Sequence, residues 1–248
     1  MSGSSSRLRR RDLLASTAAA LLLSTSARAR TIQGALPWKP NAGSPPRPVE
    51  PGPWTYFTAE EGSAVEALVD RLIPPDPHTP GGKDAGCAVF IDRQLSGPFG
   101  TSQALYMRPP FHEGTKEQGN QSPLTPAQRY RTALAALDKH CKDSFAGKTF
   151  PQLPDEQKDK LLTSLEKSEL QLGNTSGKAF FDLLLQNTKE GFFADPVYGG
   201  NRDMAGWRMI GFPGARYDYR DWIDRHNERY PLPPVSIVGR PEWSAKGA

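Results

Sequence analysis

Seven prolines, at positions 37, 40, 45, 46, 48, 51 and 53, crowd into residues 34–54. Each fixes φ near −65° and removes a backbone donor, so this stretch is excluded from helix interiors and from central strands. It reads as an extended, polyproline-like arm, with a disordered linker as the plainer alternative. Its apolar members Leu36, Trp38 and Trp54 are free to dock on another surface. The arm divides the chain: any packed core must come from the residues that follow it, and the residues before it need a separate role.

Those preceding residues hold the charge. Arg7, Arg9, Arg10, Arg11 and Arg28 face one acid, Asp12, within residues 1–29, which accounts for the entire formal net charge of +4. The remaining 26 basic and 26 acidic residues cancel. A Ser/Arg-rich start, an apolar stretch from Leu13 to Leu23 and the small-x-small pattern Ala27-Arg28-Ala29 follow the order of an export signal. The apolar stretch falls well short of the ~20 residues that span a bilayer. Arg10-Arg11-Asp12-Leu13-Leu14 resembles the twin-arginine motif of the translocase that moves folded cargo, and cleavage is expected after Ala29. A general secretory signal and a basic nucleic-acid arm are the competing readings. With the mature chain charge-balanced, no basic stripe offers a phosphate-binding face, so no nucleic-acid partner is expected.

After the arm the pattern turns helical. Thr58-Ala59-Glu60-Glu61 is a capping box, followed by Val65, Leu68, Val69, Leu72 and Ile73 at helical spacing and stopped by Pro74-Pro75. Asp84 is the expected cap of a second helix through Val89, Phe90, Ile91 and Leu95, ending at Gly97-Pro98. Residues 97–123 lack a period and form a long loop. Thr125-Pro126-Ala127-Gln128 is a second capping box with proline at the first helical position, and Tyr130, Leu134, Leu137 and Cys141 share one face of that helix. A fourth helix is predicted from Pro154 to Leu170 through Leu161, Leu162 and Leu165. A fifth runs from Ser176 to Phe193, and a short one from Met204 to Met209. The fold class is mainly α: about five helices in one domain, with the Pro-rich N-terminal arm, long irregular loops and an irregular tail anchored by Tyr217, Tyr219, Trp222, Tyr230 and Trp243. The expected organisation is 1–29 signal, 30–57 arm, 58–216 helical domain and 217–248 tail.

Several chemistries have no motif. There is no glycine-rich nucleotide loop, no Cys-x-x-Cys-His haem site and no Gly-x-Ser-x-Gly elbow. His78, His112, His140 and His226 are scattered, with no metal-ligand spacing. Neither a catalytic residue nor a cofactor or metal site is therefore expected in this chain. Cys87 and Cys141, in an oxidising compartment, have three open states: bonded to each other, bonded to a partner subunit, or buried as thiols.

One segment stands out. Residues 192–214 pack helix-ending Asp195-Pro196, then Tyr198, Gly199, Gly200, Asn201, Arg202 and Asp203, then Gly206, Trp207, Gly211, Phe212, Pro213 and Gly214 into a short span. Glycine permits positive φ or close backbone approach. Amide, guanidinium and carboxylate side by side suit a buried polar network or a bidentate pair. Three readings follow: a rigid loop closing the core, a docking surface in which Trp and Arg serve as hot spots, and a sugar site made by Asp195, Asn201, Arg202 and Asp203.

The stretch Asp195-Pro-Val-Tyr-Gly-Gly-Asn-Arg-Asp203, with Gly206-Trp207 and Gly211-Phe-Pro-Gly214, resembles the gluconate 2-dehydrogenase subunit 3 family. Phe90 to Leu95, Pro126 to Arg131, and Gly147, Phe150, Leu153 and Gln157 in step are also similar to family segments. The resemblance covers roughly residues 58–216. It implies a non-catalytic small (gamma) subunit of a membrane-bound sugar or alcohol dehydrogenase complex. FAD would sit in a large partner of the glucose-methanol-choline oxidoreductase type, and c-type haem in a multihaem cytochrome partner. The small subunit would escort the large one through twin-arginine export to the periplasm, and residues Asp195 to Gly214 together with the Pro-rich arm would contact it. The alternative is a free-standing periplasmic sugar-binding protein or enzyme using the Asp195–Asp203 loop.

Overall fold

Both capping boxes form. In helix α1, Ala59–Leu72, the Glu61 N–H donates to the Thr58 hydroxyl at 3.2 Å and the Thr58 N–H donates to the Glu61 carboxylate at 2.9 Å. Thr125 and Gln128 make the same reciprocal pair at the start of α3, Pro126–Ser144. Each pair satisfies two of the donors that a helix start leaves orphaned. The other helices are α2, Cys87–Ser96, α4, Asp155–Glu166, α5, Gly177–Phe193, and α6, Ala205–Ile210. The computed structural model describes residues 48–49, 52–112, 114–118, 122–173, 175–216 and 219–239. All of these belong to one compact unit, Lys39–Ala248. Arg10, Arg11, Leu13, Leu14, Ala27, Ala29, the arm residues Leu36 and Trp38, and tail residues Tyr217 and Trp243 lie outside the described residues.

The mainly α architecture agrees with the sequence pattern, and no strand forms among the described residues. Two isolated bridges occur, Leu172 with Thr175 and Gly214 with Val235. Helix α5 is central and packs against α1, α2, α3, α4 and α6. The predicted stripes meet around it: Val65, Leu68 and Val69 from α1, Ile91 and Leu95 from α2, Tyr130 and Leu137 from α3, Leu161 and Leu165 from α4, and Phe180 and Leu184 from α5 are all buried. Each large apolar side chain in this cluster contributes about 1.5–3 kcal/mol by leaving water.

Two predicted boundaries differ from the structure. Asp84 does not cap α2. The cap is Gly86 in left-handed geometry, without a side-chain hydrogen bond. A Cβ there would sit 2.6 Å from the Gly199 carbonyl oxygen, so close approach to the 195–214 segment sets the helix start. Helix α4 ends at Glu166 rather than Leu170. Ser168 takes φ +62°, and the Glu169 and Leu170 N–H groups both turn back to the Ser164 carbonyl. The chain then delivers Leu172 into the core.

The end of the arm docks on the chain's own helices. The Trp54 indole lies against Gly62 of α1, where a Cβ would sit 2.3 Å from the ring. Trp54 packs edge-on to Phe57, Phe57 meets Tyr130, and Tyr130 meets Phe180, with ring centroids 5.6–6.2 Å apart along the series. Asp92 of α2, fully buried, is the polar centre of this attachment. Its carboxylate accepts the N–H groups of Thr55 at 2.9 Å, Tyr56 at 2.9 Å and Phe57 at 3.0 Å, the Thr55 hydroxyl at 2.6 Å, and the Arg93 guanidinium. Burial pushes the Asp92 pKa up, but the hydrogen bonds from Thr55, Phe57 and Tyr56 more than offset this and hold it below its ordinary value. On the neighbouring face Arg131 stacks over the Tyr56 ring at 4.4 Å and pairs with Glu61.

Candidate functional site

The 195–214 segment begins where α5 stops. Asp195 caps a turn of 3₁₀ helix, Pro196–Tyr198, by accepting the Val197 N–H at 3.0 Å. The same carboxylate accepts the Ser236 hydroxyl and the Ile237 N–H, each at 2.6 Å. Its charge is therefore spent on the chain's own C-terminal region. Val49 of the arm donates its N–H to the Val197 carbonyl at 2.9 Å, so arm and tail meet at one turn.

The next residues lock the segment to α5. At Gly200 a Cβ would lie 2.1 Å from the Gly191 carbonyl oxygen, and at Gly206 one would lie 2.2 Å from that of Phe192. Both glycines are close-approach positions; for Gly200 this is one of the two uses the sequence offers. Asn201 is fully buried and spans the loop: its amide donates to the Ala194 carbonyl and its Oδ1 accepts the Gly206 N–H, each at 2.8 Å. The Trp207 indole N–H donates to the Phe193 carbonyl at 2.7 Å, and its ring stands edge-on to Phe212 at 5.2 Å. Asn201, Asp203 and Met204 all hold φ between +45° and +56°. This is an uncommon conformation for residues with a Cβ, costing on the order of 1–3 kcal/mol each. The strained backbone carries Arg202 and Asp203 outward to solvent.

The segment thus has two faces. Asp195, Gly200, Asn201, Gly206 and Trp207 face inward and hold its shape. Tyr198, Met209, Ile210 and Phe212 are 44–59% exposed, and Arg202, Asp203 and Arg208 are exposed with them. The four residues of the sugar-site reading do not converge: Asp195 and Asn201 bind their own backbone, while Arg202 and Asp203 line an open groove of about 630 Å³ with His78, Asp84, Arg208 and Met209. A second groove, about 430 Å³, runs between Trp207–Pro213 and Arg229–Pro234. Helix α6 is a short ridge whose Arg208 lines both grooves.

Gly211 ends that ridge at φ +70°, with open space where a Cβ would be. Gly214, at φ +81°, seats the tail: a Cβ would lie 2.2 Å from the Val235 carbonyl oxygen, and the Ala215 N–H donates to that oxygen at 2.7 Å. Pro196 and Pro213 bracket the segment. Sequence reasoning missed two contributors. One is Asp92, for which an acid set behind the apolar pair Phe90-Ile91 is a visible signal of a buried acceptor. The other is the run Val235 to Ile237, which falls in the expected irregular tail, yet Val235 and Ser236 are buried.

Cys87 and Cys141 are both unbonded thiols with no measurable exposure. Burial pushes the Cys87 thiol up to about 12 and the Cys141 thiol up to about 11. Among the described residues no group of His, Cys, Asp and Glu could hold a metal ion, and no helix is long and apolar enough to cross a membrane. The family model described as gluconate 2-dehydrogenase subunit 3 matches residues 59–214, more than half of the chain. Comparison with curated proteins and with solved structures returns no significant match.

Proposed function

The chain belongs to the gluconate 2-dehydrogenase subunit 3 family, and from that premise we propose that it is the non-catalytic small subunit of a periplasmic, membrane-associated, flavin-dependent gluconate or sugar dehydrogenase complex. It escorts the large FAD-carrying subunit, of the glucose-methanol-choline type, through twin-arginine export and stabilises it afterwards. Electrons leave through a multihaem cytochrome c partner, and substrate choice lies with the large subunit. The cofactors belong to those partners rather than to this chain.

The observation that carries this reading is the division of the 195–214 segment. Its inward residues are committed to close packing and to backbone hydrogen bonds. Its outward face presents Met209, Ile210 and Phe212 to solvent on a braced ridge. Rigid exposed apolar side chains of this kind are the usual centre of a protein interface. The Arg10-Arg11 pair supports the escort role, because a folded-cargo signal on a subunit can carry an unsignalled partner with it.

The test is co-expression with the large subunit, followed by fractionation. With the native signal both proteins reach the periplasm. With Arg10→Lys and Arg11→Lys both stay in the cytoplasm. Periplasmic large subunit in the double variant overturns the escort role. Sugar oxidation by the purified small subunit alone overturns the non-catalytic assignment.

A further inference from the structure

The groove on the tail side of α6 has an asymmetry of charge. Among the described residues its walls hold two guanidinium groups, Arg208 and Arg229, and no carboxylate, while the rest of that lining is aromatic, aliphatic, glycine or proline. One wall is the family-matched ridge, with Trp207 and Phe212. The other is Tyr230 and Leu232, from the tail that lies outside the family match.

That second wall is built, not incidental. Val235 is buried against Gly214, its N–H donates to the Pro213 carbonyl, and Ser236 and Ile237 are clasped by Asp195. Arg216 donates to the Pro233 carbonyl and stacks over the Tyr230 ring at 5.1 Å. Tyr230 also packs on Trp222 at 5.0 Å. The tail is thus held at both ends of its Pro231–Pro234 run, with Leu232 left 52% exposed where it lines the groove opposite Trp207 and Phe212.

We propose that residues 229–238 are the second half of the large-subunit docking face, and that this groove accepts an apolar segment of the large subunit bearing a carboxylate. The inference rests on the small-subunit reading above. The apolar walls supply burial, and the two arginines supply charge complementarity and orientation. Because this wall lies outside the family-matched region, it makes the groove a specificity element for this chain's own partner.

The experiment is a titration of the full-length mature chain with its large subunit, for the wild type and for Arg208→Glu with Arg229→Glu. Both side chains are exposed, so the fold should be retained, and an unchanged melting temperature verifies it. The expected result is at least about a tenfold loss of affinity in the double variant, together with loss of the salt dependence that wild-type binding shows. Hydrogen exchange on the wild-type complex should show slower exchange of amides 229–238 than in the free chain. Equal affinity and equal salt dependence in both chains, or no protection of 229–238 in a complex that does form, overturns this inference and leaves the small-subunit reading standing. No wild-type binding at all overturns both.

Discussion

Replacing Asp92 with alanine tests the account of how the arm is attached. The carboxylate accepts five hydrogen bonds, from the N–H groups of Thr55, Tyr56 and Phe57, the Thr55 hydroxyl and the Arg93 guanidinium. Not all of them count equally when it is removed. Thr55 is exposed and Tyr56 half-buried, so water replaces the carboxylate at their N–H groups, whereas Phe57 is 5% exposed and its N–H is orphaned. An unsatisfied buried donor costs about 1–3 kcal/mol. Loss of the charged partner of Arg93 brings the total to about 3–5 kcal/mol. For a domain of this size that corresponds to a fall in melting temperature of roughly 10 °C. Asp92→Asn keeps one acceptor for Tyr56 and Phe57 but turns an NH₂ toward the Thr55 donors, and should cost about 2 kcal/mol. The assay is urea denaturation followed by far-ultraviolet circular dichroism, repeated across pH. Because the folded pKa of Asp92 lies below its ordinary 3.8, its contribution is full above that value and is lost as pH falls through the folded pKa. The gap between wild type and Asp92→Ala should therefore be wide at about pH 7 and narrow below about pH 4. A difference under about 1 kcal/mol at neutral pH, or a gap that does not narrow in acid, refutes the reasoning.

Three further outcomes follow from the geometry. Gly200→Ala and Gly206→Ala place a methyl group against fixed backbone oxygens and should each destabilise by about 2 kcal/mol or more, whereas Gly211→Ala meets only the φ +70° penalty of about 1 kcal/mol. Equal costs in chemical denaturation would contradict the close-approach assignment. Ile210→Asp should cut recovery of the large subunit in co-purification while moving the melting temperature by about 1 °C or less, and a matching loss of stability would place Ile210 in the core instead. Cys87 and Cys141, buried and with thiol pKa values pushed up to about 12 and about 11, should resist a thiol-reactive dye in the native protein near neutral pH and react on unfolding. Prompt labelling of either would contradict their burial.

What could be read from the sequence follows the range of the interactions. Capping boxes and apolar stripes are local, and Thr58–Glu61, Thr125–Gln128 and the Val65–Val69 and Tyr130–Cys141 faces form as their spacing suggests. At Gly199 and Gly200 the sequence offers positive φ or close approach, and the structure takes one of each: φ +93° at Gly199 and a close approach to Gly191 at Gly200. Asp84 misled because it is a good capping residue in isolation, but the start of α2 is set by Gly199 and Arg202, more than a hundred positions away in the chain. The grasp of Asp92 on residues 55–57 and of Asp195 on residues 236–237 leaves no local trace, since donor and acceptor lie far apart in sequence. For the same reason the loop holding Asp195, Asn201, Arg202 and Asp203 reads as one polar cluster, although its backbone turns Asp195 and Asn201 toward the fold and Arg202 and Asp203 toward solvent.

The bond from Val49 to Val197 has a mechanical consequence. The chain enters the described fold at residues 48–49, beside the 195–199 turn, and is anchored again at Thr55–Phe57. Any tension applied from the N-terminal side is therefore borne first at Val197, peeling one hydrogen bond from the turn that also holds the tail. It reaches the helices only afterwards, where several bonds on Asp92 share the load. Traction at the front of the molecule would disturb the 195–199 turn before it threatened the core.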